Sequence, residues 1–140
     1  MRVVTSSYVL MTLICIGPMA LAQSPEKTFE IELNGVEEIG NSCRITFVAV
    51  NNLGALLDKT SIEIGVFDKD NVFSEMVVFD FGRLPVGKTR VVQYDLPRKC
   101  ETISRLLLNS FKDCSGATDL KQLCEDNIRT KSQATMAFGQ

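Results

Sequence analysis

The sequence contains no histidine and no tryptophan, only two tyrosines and four prolines, and no excess of basic side chains. Without histidine, the commonest general base, the usual imidazole metal ligand and the side chain that changes charge near neutral pH are all missing. Catalytic triads and His-ligated zinc sites are thereby excluded. The 15 cations face 17 acids, so composition gives no reason to expect the basic patch that recognises nucleic acid or anionic lipid. Cysteine occurs five times but never as Cys-x-x-Cys, the commonest thiol-redox arrangement. The apolar run from Val9 to Ile16 is too short to cross about 30 Å of hydrocarbon.

That run reads as the core of a secretory signal peptide. Arg2 precedes it, Gly17-Pro18 breaks it, and Ala20-Leu21-Ala22 supplies an A-x-A cleavage site before Gln23. Residues 1–22 are expected to be removed, leaving a single domain over residues 23–140 in the periplasm or outside the cell, with no membrane span. Cys15 leaves with the peptide, and Ile14 stands where a lipoprotein signal needs a small residue. A lone Arg2, rather than an arginine pair, points to the general export route. Losing Arg2 leaves 14 cations against 17 acids, a net charge of −3. A domain of this size buries about two-thirds of its unfolded surface, enough for a true core.

Alternating hydrophobicity then marks strands. Thr28–Asn34 places Phe29, Ile31 and Leu33 on one face; after a loop from Gly35 to Ser42, Cys43–Asn51 places Cys43, Ile45, Phe47 and Ala49 together. Ser61–Phe67, Phe73–Phe81 and Lys88–Leu96 follow, separated by the turn cluster Asp68-Lys69-Asp70-Asn71 and by Pro85 and Gly87. Val77–Leu96 therefore reads as strand, tight turn, strand: a β-hairpin. Ile103–Phe111 is a further strand, Asp119–Glu125 has helical spacing at Leu120, Leu123 and Cys124, and a weaker strand covers Asn127–Gln133. Ala134–Gln140 reads as a loose tail. The pattern predicts an all-β, immunoglobulin-like β-sandwich of about seven antiparallel strands with a short helical turn before the last, a small barrel being the alternative.

Several motifs compete for a functional reading. Gly82, Gly87, Lys88 and Thr89 satisfy the phosphate-loop pattern GxxxxGK[ST], but that chemistry needs a helix starting at the Lys-Thr pair. Here the β-formers Val91, Val92 and Tyr94 follow, and Pro97 ends the run, so no nucleotide is expected. Asp80-Phe81-Gly82 spells a kinase metal-binding motif with nothing else to support it. Asp68-x-Asp70 offers two calcium ligands and then Val72 and Ser74 where more are needed, so no metal or other cofactor is expected. Glu37-Glu38 reads as a solubilising loop pair. Arg83, Lys88, Arg90, Arg98 and Lys99 form either a basic edge or charges that protect strand edges. On the strand Ile103–Phe111, Arg105, Leu107 and Asn109 share one side and form a candidate interaction face; the competing reading puts Leu107 in the core.

Four cysteines survive cleavage, allowing three pairings. In a sandwich of consecutive antiparallel strands, Cys43 opens one strand at the end where Cys100 lies, while Cys114 and Cys124 share the other end. Joining Cys43 to Cys114 would bridge about 26 Å along a strand, against a disulfide Cα separation of roughly 6 Å. The expected disulfides are Cys43–Cys100 and Cys114–Cys124, each contributing roughly 3 kcal/mol by loop closure.

Cys43-Arg44, Val66-Phe67-Asp68, Asp80-Phe81-Gly82 with Leu84-Pro85-x-Gly87-Lys88-Thr89, Asp95-Leu96-Pro97, Arg105 to Asn109, and Cys114 with Cys124 together resemble a family of small exported bacterial proteins often labelled Tat pathway signal sequence domain protein. The resemblance covers most of the chain after Ala22. It implies a β-sandwich with the same four cysteines, and no particular activity, substrate or partner. With no catalytic set in the sequence, the expectation is a non-enzymatic interaction or accessory domain holding a periplasmic protein partner. A thiol-redox or other enzyme accessory and a purely structural envelope component are the alternatives.

Overall fold

The computed structural model describes residues 24–140; the signal peptide expected over residues 1–22 lies outside the described residues. The chain is mostly β, with two four-stranded mixed sheets packed face to face and one short helix near the C-terminus. The strands are β1 (Thr28–Ile39), β2 (Ser42–Asn52), β3 (Lys59–Asp68), β4 (Phe73–Asp80), β5 (Thr89–Leu96), β6 (Ile103–Ser115), β7 (Ile128–Ser132) and β8 (Ala137–Gly139). Helix α1 (Lys121–Asp126) precedes β7. One sheet has the order β5-β2-β1-β7 and the other β4-β3-β6-β8.

Alternation locates the core as expected. Phe29, Ile31 and Leu33 of β1, Ile45 and Phe47 of β2, Ile62 and Ile64 of β3, Phe79 of β4 and Phe111 of β6 are all buried. Phe47 sits at the centre, its ring edge-on to Phe79 at 5.0 Å, while Phe29 meets Phe111 edge-on at 5.3 Å across the sheets. Such pairs prefer this geometry because the positive ring edge meets the negative face.

Four expectations are corrected. There are eight strands, and not all are antiparallel: β7 runs parallel to β1 and β8 parallel to β6. The tail is not loose throughout, since β8 lies within it and Phe138 packs on Phe47 with ring centroids 5.1 Å apart. The loop expected from Gly35 is instead strand, because a bulge at Asn34 lets β1 stay paired with β2 as far as Ile39 and Ser42. Gly40, at φ +59°, then opens a two-residue turn.

The fourth correction concerns Val77–Leu96, which is not a hairpin. Its two strands lie in different sheets, β4 against β3 and β5 against β2. Leu84 still bonds Leu57 beside β3, with N–H to carbonyl distances of 2.7 and 3.1 Å, whereas Gly87 and Lys88 already bond Asn51 at the end of β2. Pro85-Val86 therefore carries the chain from one sheet to the other. Asn51 holds this crossing together: it is fully buried, its Nδ2 donates to the carbonyls of Ala55 and Leu84 at 2.8 Å each, and its Oδ1 accepts the N–H of Leu53 at 3.1 Å.

Both disulfides are formed as expected. Cys43–Cys100 joins the start of β2 to the connection before β6, and Cys114–Cys124 joins the end of β6 to α1, with Cα separations of 4.7 and 6.6 Å. Disulfides are typical of oxidising extracellular or periplasmic compartments. Among the described residues, no helix is long and apolar enough to cross a membrane.

Candidate interaction face

The outer face of the β4-β3-β6-β8 sheet is where the structure gathers apolar side chains outside the core. Register places Met76, Gly65, Leu107 and Gly139 in one row across the four strands, with Phe73, Phe67, Arg105 and Ala137 in the next. The two phenyl rings meet edge-on at 5.9 Å. Gly65 lies beneath them: a Cβ there would be in ordinary contact with Phe67, Phe73 and Leu107, at 3.5, 3.7 and 3.8 Å. Large apolar groups thus remain open to solvent, Phe73 at 52%, Met76 at 43% and Val78 at 36% exposure. A contiguous apolar patch rimmed by polar groups commonly marks a site of protein contact.

The three residues picked from the sequence are partly brought together here. Arg105 lies with its guanidinium carbon 3.7 Å from the centre of the Phe67 ring, and its Nε donates to Oδ1 of Asn71 at 2.8 Å. A guanidinium over an aromatic face is held by the ring quadrupole. Leu107 is half-buried on the outer face, not in the core. Asn109 is exposed at a bulge, because Ser110 pairs with Glu63 and Leu108 with Ile64. Leu107 and Asn109 also line a groove of about 500 Å³ with Phe111, Glu125, Ile128 and Gln140, beside the part of β6 that runs on past β8. Arg105 and Leu107 border the aromatic cluster, while Leu107 and Asn109 line the groove, so the triple spans two adjoining surfaces.

Phe67, Phe73, Met76 and Val78 were missed by sequence reasoning. The available signal was that Phe73, Met76, Val77, Val78, Phe79 and Phe81 are apolar at both parities. Val77 and Phe79 turn toward the core, so Met76 and Val78 must turn out. Since β4 is an edge strand with no layer above it, they stay exposed.

The other motifs resolve into structural roles. Gly82 and Gly87, at φ +64° and +71°, flank the crossing, and strand β5 starts at Thr89, where a phosphate loop requires a helix. Asp68 accepts the N–H groups of Asp70 and Val72 at 2.9 and 3.0 Å, closing the β3–β4 turn. Among the described residues, no group of three or more cysteines or carboxylates is placed to hold a metal ion. The cations read as a basic edge are largely dispersed into ion pairs, Arg83 with Asp58, Arg98 with Glu75 and Lys99 with Glu38. Glu38 also accepts the Cys100 N–H at 2.9 Å, and this bond, with help from Lys99, lowers its pKa. On the other sheet, the bidentate Arg44–Asp95 contact, at 2.7 and 2.8 Å, lowers the Asp95 pKa and raises that of Arg44.

No family model, curated protein or solved structure matches this chain.

Proposed function

We propose that the chain is an exported, non-enzymatic interaction module, an immunoglobulin-like sandwich that holds a periplasmic protein partner on the outer face of its β4-β3-β6-β8 sheet. The supporting observation is the aromatic cluster of half-buried Phe67 and exposed Phe73, gripped by Arg105 and continued by Leu107. Phenylalanine, methionine and arginine are all enriched at protein interfaces relative to the rest of the surface. The likeness to the exported Tat-labelled family is a further part of the proposal and is compatible with such a role.

A photo-crosslinking residue at position 107, followed by mass spectrometry of material trapped in the periplasm, tests this reading. One reproducible protein should be trapped, and Arg105→Glu or Phe73→Asp should abolish trapping while the circular dichroism spectrum stays unchanged. Trapping that survives both changes, or no trapping together with turnover in a broad periplasmic substrate screen, would move the assignment to another surface or to an enzyme.

A further inference from the structure

β4 is an edge strand whose free hydrogen-bonding groups can be assigned. The Phe81 N–H donates to the Thr60 carbonyl at 2.8 Å, so Phe81, and by period two Phe79 and Val77, bond toward β3. The main-chain groups of Asp80, Val78 and Met76 therefore point away from the sheet. Asp80 is already satisfied: its N–H donates to the Tyr94 hydroxyl at 2.5 Å, and that hydroxyl donates to the Asp80 carbonyl at 3.2 Å. What remains is a short open run of two N–H and two C=O groups, on Met76 and Val78. Natural edges of this kind usually carry a lysine, a proline or an inward charge that deters pairing. Met76, Val77 and Val78 carry none of these.

We propose that this edge pairs with β4 of a second copy, antiparallel about a two-fold axis through Val77. In that register Met76 lies opposite Val78 of the other copy, and Val78 opposite its Met76. Both are hydrogen-bonded pairs, so all four free groups of each copy are satisfied by one another. Centring the axis on Val78 instead would set Met76 against Asp80, whose groups Tyr94 already holds. Centring it on Met76 would set Val78 against Ser74, at the bulge where the ladder slips between Glu75 and Phe73.

Charge does not oppose this register. Glu75 comes opposite Phe79, so no like charges face each other. Asp80 comes opposite Ser74, beside Arg98, whose guanidinium is already shared between Ser74 and Glu75 of its own copy. Such a contact is isologous, using the same patch on both copies. It rests on the edge of β4 and is separate from the partner proposed for the Phe67 and Leu107 surface.

Sedimentation equilibrium of the purified protein, with two variants, tests the pairing. The native protein should sediment at twice the monomer mass at high concentration. Val78→Pro removes an outward N–H and leaves the β3 ladder intact, so it should halve the mass with an unchanged circular dichroism spectrum. Val77→Cys places two thiols at the axis and should give a covalent dimer on mild oxidation, whereas Val91→Cys, exposed on the other sheet, should not. A native mass that stays monomeric at millimolar concentration overturns the proposal. So does a dimer that persists in Val78→Pro while Val77→Cys fails to crosslink. Trapping at position 107 is read independently, so loss of the dimer and loss of the partner are distinguishable.

Discussion

On one flank of the sandwich, β7 and β8 lie at the edges of opposite sheets and are joined by a short connection that closes the gap between them. The Ser132 hydroxyl bonds the carbonyls of Ala134 and Met136, the Gln133 N–H reaches Leu33, and Phe138 inserts against Phe47. On the other flank, β4 and β5 are also edge strands of opposite sheets; beyond the Pro85-Val86 crossing at one end, they are bridged by side chains, chief among them Tyr94, packed on Phe79 at 4.4 Å and bonded to Asp80. The closed flank is finished by main chain and a half-buried ring; the open one keeps unpaired main-chain groups and exposed methionine, valine and phenylalanine. Burial makes the first a determinant of stability, and exposure leaves the second little used for stability.

The two disulfides lie at opposite ends of the sandwich, and removing these gives the largest effects expected. Replacing Cys43 and Cys100 by serine frees a loop with a sequence separation of 57 and should cost about 4 kcal/mol, while the Cys114 and Cys124 pair, separated by 10, should cost about 3 kcal/mol. Urea denaturation would rank them, and hydrogen exchange should show the second change loosening α1 and β7 before β4. An equal effect on β4 would mean that the flanks unfold as one unit.

Phe138→Ala should come next, at about 2 kcal/mol, less than a fully buried phenylalanine because the ring is half exposed. Val78→Lys on the open flank should change monomer stability by less than about 0.5 kcal/mol. Thermal melts of both at low concentration sharpen the comparison. Similar losses would remove the distinction between a flank used for stability and one left for contact.

The smallest expected effects are in pH dependence, where the two flanks should differ in sign. On the sheet edge at β5, Asp95 is held below its ordinary pKa of 3.8 by Arg44. Its contribution is present above that value and is lost as pH falls below it. Near the closed flank, Lys131 is raised above 10.5 by Glu30, so its contribution is present below that value and is lost as pH rises through the raised pKa. Asp95→Asn should therefore flatten only the acid limb of a stability profile and Lys131→Met only the alkaline limb. Both groups are exposed, so the changes should be small and should shrink in salt.

The difference between the flanks also explains which parts of the fold the sequence disclosed. Phe29, Ile31 and Leu33, or Ile62, Ile64 and Val66, alternate because each strand has one dry face, and that period is visible in any single strand. The cysteine pairs followed from which strand ends could meet, and that survives a change in strand order. The crossing between β4 and β5 was not visible, because Pro85 and Gly87 serve a hairpin and a crossover equally well. What decides between them is the grip of Asn51 on Leu84, a contact 33 residues away in sequence. Parallel pairing of β7 and β8 leaves no local mark either, and three residues, Ala137–Gly139, are too few to show a period. Of the candidate site, the outward row of Arg105, Leu107 and Asn109 was legible from alternation. Its continuation through Phe67, Phe73 and Met76 depends on which strands became neighbours.

The contact between Tyr94 and Asp80 fixes the length of the free edge on β4. The tyrosine hydroxyl occupies the outward N–H and C=O of Asp80, so the open run ends at Val78. The phenol therefore acts as a stop on a ruler: an incoming strand would find main-chain partners only on Met76 and Val78, too short a template for a long ladder.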